Sequence, residues 1–150
     1  MHANPLPEAS SNGHRIRHFT FFALSAALFA ACLAFNGYYT AHSSANSGLL
    51  LMTGWLGLAS WEVAWLANPV LLFAAVAYAR RRYRQAMKHS IVANGLMLSF
   101  LLTGKVMVSE APTYADVTGY GLGYWLWLSS GATLLTGALV GQKAVRRAGT

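Results

Sequence analysis

Apolar residues gather in four runs, at about residues 19–39, 48–79, 86–108 and 120–142, with short polar stretches between them. A helix rising ~1.5 Å per residue needs about 20 mainly apolar residues to cross a hydrocarbon core. The first, third and fourth runs have that length. The second has 32 residues, too many for one straight span. It also contains Asn68 followed by Pro69, and a proline removes a backbone donor and clashes with the preceding turn. This run is therefore expected to divide into a short interfacial or re-entrant helix over about 48–59 and a span over about 62–79, bent at Asn68–Pro69. One steeply tilted helix is the alternative.

The pattern predicts an all-α membrane protein, a four-helix transmembrane bundle. Its domain organisation would be a disordered cytoplasmic tail over 1–18, a four-span domain over 19–142 and a basic cytoplasmic tail over 143–150. The first tail rests on its polar composition, with Pro5, Pro7 and Gly13.

Charge gives the bundle an orientation. Ten of the eleven basic residues fall in three clusters: Arg15 and Arg17; Arg80, Arg81, Arg82, Arg84 and Lys88; and Lys143, Arg146 and Arg147. The stretch 40–47 has none, and 109–119 has none but carries Glu110 and Asp116. Positive charge favours the cytoplasmic side, so both termini and the central loop are expected there. With the Ala/Leu/Arg-rich composition and small loops, this predicts a multi-pass protein of a bacterial inner (cytoplasmic) membrane. The net charge of +7 would also suit nucleic acid, but the basic residues sit between apolar runs rather than over a polar face, so no nucleic-acid partner is expected.

Within that topology, Glu62 and Lys105 reach similar heights, about 26–27 Å above the cytoplasmic ends of their spans. Ionised groups at such depth pair or snorkel to water, so a Glu62–Lys105 pair or a shared outer pocket is expected. Asn68, Trp61, Trp65, Trp125 and Trp127 complete this candidate binding pocket. An aromatic belt at the lipid headgroups is the plainer reading of the tryptophans, joined by Tyr38, Tyr39, Tyr120 and Tyr124. Asn68 is expected to cap the helix that starts at Pro69. Small residues at four-residue spacing, Ser129, Thr133, Gly137 and Gly141 on the last run and Gly95, Ser99 and Thr103 on the third, are read as helix-packing stripes.

Other chemistry is thin. The single cysteine, Cys32, cannot form an internal disulfide. The sequence RIRHFTFFALSAALFAAC (15–32) loosely resembles a lipoprotein signal ending at Cys32. Phe29 stands where an aliphatic residue is usual and the chain stays apolar afterwards, so the uncleaved reading is preferred. No His, Cys or carboxylate cluster suggests a metal or haem, and no catalytic motif is present. No cofactor, metal or catalytic residue is expected. The functional expectation is a non-enzymatic accessory, partner-binding or immunity-type protein, with the lipid bilayer and a membrane-protein partner or a second copy of the chain as contacts. The alternative is a small homo-oligomeric transporter or channel.

Overall fold

The computed structural model describes residues 8–60, 63–107 and 114–148. Among these residues are five α-helices and a four-stranded antiparallel sheet. In chain order these are α1 (Glu8–Cys32), β1 (Asn36–Thr40), β2 (Ser44–Asn46), α2 (Ser47–Thr53), α3 (Ala67–Ala79), α4 (Tyr83–Ser99), β3 (Lys105–Met107), β4 (Tyr114–Tyr120) and α5 (Leu122–Ala148). Short 3₁₀ turns at Gly54–Ser60, Val63–Leu66 and Phe100–Leu102 link some of them.

This corrects the four-helix transmembrane bundle. Among the described residues, no helix is long and apolar enough to cross a membrane. The second and third runs make helices of 13 and 17 residues, or about 20 and 26 Å against the ~30 Å required. α1 and α5 have 25 and 27 residues, so their length suffices but their composition does not. α1 begins in polar sequence with Arg15, Arg17 and His18, and α5 carries Ser129, Ser130, Thr133 and Thr136 before a basic last turn. The expected placement as a multi-pass bacterial inner-membrane protein and the positive-inside orientation built on four spans are overturned with the bundle.

The sheet takes residues from the ends of the expected spans, such as Tyr38 and Val106, and from the connections between them, such as Thr40 and Val117. Tyr38, Tyr39, Thr40, Val106, Val117, Thr118 and Tyr120 are aromatic or β-branched, types that suit a pleated surface. The strand order is β2-β1-β4-β3. β1 pairs with β4 with Tyr38 opposite Tyr120, and β3 pairs with β4 with Lys105 opposite Asp116. Thr40 closes the β1–β2 hairpin, donating its backbone N–H to the Ser43 carbonyl at 2.8 Å.

The core lies among α3, α4 and α5. Ala67, Leu71, Ala74 and Tyr78 recur at helical spacing on α3, as do Tyr83, Ala86, Ala93 and Met97 on α4, meeting Leu134 and Ala138 of α5. Five of these positions are fully buried alanines, which bring the helix backbones close. α1 packs along α5, where the Ser25 hydroxyl donates to the Ser130 carbonyl at 2.9 Å. Pro69 falls in the first turn of α3, where its missing N–H is one that the helix leaves unused.

Candidate functional site

An apolar cavity of about 120 Å³ lies where the C-terminal part of α1, β1, α2, the start of α3 and the start of α5 meet. Phe29, Leu33, Leu50 and Leu51 supply aliphatic and ring surface, and Tyr38, Phe100 and Tyr124 stand on the sheet side. Trp65, Asn68 and Trp127 line it as well.

Each wall is held by a local interaction. Asn46 caps α2, its Oδ1 accepting from the Gly48 N–H at 2.9 Å. Trp65 donates its indole N–H to the Leu51 carbonyl at 3.1 Å and lies against Gly54, where a Cβ would come within 2.5 Å of the indole Cδ1. Tyr124 donates to the Met97 carbonyl at 3.0 Å and contacts Phe100 and Trp127, with ring centroids at 5.9 and 6.2 Å. α5 approaches β1 through Gly121 and Gly123, where a Cβ would overlap the Asn36 carbonyl.

The polar handle is Asn68. Trp127 donates its indole N–H to Asn68 Oδ1 at 2.9 Å. An indole nitrogen only donates, so this bond fixes the amide orientation. The Asn68 Nδ2 group then keeps two N–H donors with no acceptor among the described residues. Asn68 does not cap α3; the capping position is Leu66, without a side-chain bond.

Cys32 also lines the cavity and is buried. Burial pushes its thiol up to about 11, so it is a neutral thiol near neutral pH. A low-pKa thiolate nucleophile needs the opposite environment. Tyr124 is raised to about 12, by burial first and by Tyr120 second.

The structure thus brings together Trp65, Asn68 and Trp127 of the candidate set. Trp125 projects outward at 48% exposure. Lys105 lies on β3, in register with Asp116 rather than on a helix. Glu62 and Trp61 lie outside the described residues, as does the expected Glu62–Lys105 pair. Sequence reasoning missed Phe29, Cys32, Leu50, Leu51 and Phe100, which come from separate apolar runs that only the fold unites. Tyr38 and Tyr124 carried a signal, since both were read with the aromatic set. No metal-binding group of His, Cys, Asp or Glu occurs among the described residues.

Comparisons with protein-family models, curated proteins and solved structures found no match to this chain.

Proposed function

We propose that the protein is a non-enzymatic binding protein whose ligand is a small, mainly apolar molecule carrying one hydrogen-bond acceptor. One observation carries this reading: an aromatic-walled cavity with the unpartnered Nδ2 donors of Asn68 at its lining. An apolar cavity of roughly 150 Å³ holds a benzene-sized molecule, so a single ring or a short branched chain fits about 120 Å³. Trp65, Trp127 and Tyr124 donate their polar hydrogens within the protein, which leaves Asn68 Nδ2 and the Ser47 hydroxyl to meet a ligand. Asn68 would select a carbonyl or ether oxygen.

Cyclohexanone is a suitable probe, with an apolar ring and one acceptor. About seven heavy atoms at ~0.8 kcal/mol each give a Kd on the order of 0.1 mM. Calorimetry should show one saturable site. Asn68→Asp keeps the acceptor for Trp127 and removes both donors, and should weaken binding about tenfold. Leu51→Trp, which fills the cavity, should abolish it. Equal affinity in the parent protein and both variants would refute the site.

Self-association is the second reading, with a second copy of the chain as partner. Large apolar side chains on α3 and α4, among them Leu72, Phe73, Ile91 and Val92, are 52–64% exposed, which favours it. Native mass spectrometry should then give multiples of 16.2 kDa. A monomer at all micromolar concentrations would contradict it.

A further inference from the structure

A second cavity, of about 150 Å³, lies at the other end of α5, between α1 and the α3–α4 turn. We propose that it binds a phosphate-type oxyanion, such as the phosphate group of a monoester. It is separate from the apolar cavity and does not depend on that reading.

Its walls are Arg17, His18, Tyr78 and Tyr83, and its floor is the glycine pair Gly137 and Gly141. His18 stacks on Tyr78 with ring centroids 4.6 Å apart and planes within 2°. The His18 Nε2–H donates to the Tyr78 carbonyl at 3.0 Å, and the Tyr78 hydroxyl donates back to the His18 carbonyl at 3.3 Å. Tyr83 meets both rings edge-on. The glycines make room for the aromatics: a Cβ at Gly141 would come within 2.5 Å of the Tyr83 ring, and one at Gly137 within 2.8 Å of the Tyr78 hydroxyl. The cavity is thus shaped by a rigid wall, with space equal to about five waters of liquid volume.

The donors suit an anion. Arg17 presents a guanidinium with five N–H groups. The Tyr83 hydroxyl has no hydrogen-bond partner among the described residues, although the residue is only 7% exposed. It stays protonated near neutral pH, because burial raises its pKa and the nearby Arg81 charge opposes this only in part. Charge converges on the same end, where the middle of the first half of α1, the α3–α4 turn and the last turns of α5 meet with Arg17, Arg80, Arg81, Arg82, Arg84 and Lys143. The only carboxylate whose side chain is described, Asp116, lies on β4, which leads into the opposite end of the ~40 Å α5 helix.

The backbone adds a third observation. Arg81 has φ 57°, the only positive φ at a non-glycine residue described. Its N–H bonds to the Tyr78 carbonyl and that of Arg82 to the Ala77 carbonyl, both at 2.9 Å. This is the helix-ending turn that normally uses glycine. An arginine held in an unfavourable conformation points to a use for its side chain, and here the guanidinium raises the positive potential beside Tyr83.

The test is calorimetric titration at fixed ionic strength, with inorganic phosphate, phenyl phosphate and glycerol 3-phosphate. The two esters differ in the group carried on the phosphate, an aromatic ring in one and a polyol in the other. One saturable site is expected for inorganic phosphate. Arg17→Gln should weaken it about tenfold and Tyr83→Phe about threefold. Arg81→Gly should weaken it about twofold while the protein stays folded by circular dichroism. Arg146→Gln, a basic residue outside the cavity lining, should leave affinity unchanged. Tighter binding of either ester over the other would name the class of group carried on the phosphate and support the site. Absence of saturable binding, or the same loss in all four variants, would overturn the proposal and leave only diffuse surface charge.

Discussion

Two residues report on how strongly the interior is enforced. Cys32 is 2% exposed, and burial moves its thiol from an ordinary 9.0 up to about 11. A raised pKa means the folded state holds the proton more tightly than the unfolded chain does. The resulting stability is complete below about pH 9 and is lost as pH rises through about 11. Stability should therefore fall between those limits in denaturant titrations, and Cys32→Ala should flatten that fall. An unchanged slope in the variant would assign the alkaline loss to Tyr78 and Tyr124, which burial raises to about 12. Arg81 is the second reporter. Its left-handed backbone costs about 1 kcal/mol for a residue with a Cβ. Arg81→Gly should raise stability by ~0.5–1 kcal/mol, seen as a higher urea midpoint at constant slope; a lower midpoint would mean the side chain has a structural contact that outweighs the strain.

Elements differ in how readable they were. The glycine and small-residue stripe on α5 was read as a packing surface, and Gly137 and Gly141 do sit under Phe21, Tyr78 and Tyr83 of the same chain. The stripe on the third run had the same spacing, yet open space surrounds Gly95. Spacing alone could not separate them, because it says which face a residue is on and not what comes to that face. Gly95→Ala should therefore stabilise by ~0.5–1 kcal/mol, the entropic gain within a helix. Gly121→Ala should cost at least ~2 kcal/mol, since its Cβ would overlap the Asn36 backbone. Thermal unfolding of both variants checks the contrast, and similar midpoints would contradict the close approach of α5 to β1. The strands were hidden because each is only 3 to 7 residues long and abuts an apolar run. Lys105 looked isolated among helices, but its register partner Asp116 lies 11 positions away on the antiparallel strand β4. Lys105→Glu should destabilise by up to ~1 kcal/mol, and adding Asp116→Lys should restore it. A double variant no better than the single one would remove the β3–β4 register.

At the scale of the molecule, hydropathy led away from the fold for a physical reason. It sums the apolar character of a stretch without seeing where the backbone changes direction. The second run is broken by two 3₁₀ turns before α3 begins at Ala67, and the third ends in Phe100–Leu102 and a strand. Outward apolar residues such as Leu72 and Phe73 add to the same sum without making a span. The charge pattern was legible, but positive-inside reasoning needed four spans that the described helices do not form. The aromatic–Asn68 group was half legible: Trp65, Asn68 and Trp127 were picked out, while the rest of the cavity required α1, α2 and α5 to be brought together. That convergence is the central claim, and the five tryptophans allow it to be tested at individual positions. The measurement is a ¹H–¹⁵N titration of the indole N–H resonances with cyclohexanone. The signals of Trp65 and Trp127 should shift with one common Kd on the order of 0.1 mM, while that of outward-facing Trp125 stays in place. No shift, or equal shifts at all assigned tryptophans, would contradict a cavity that binds a ligand.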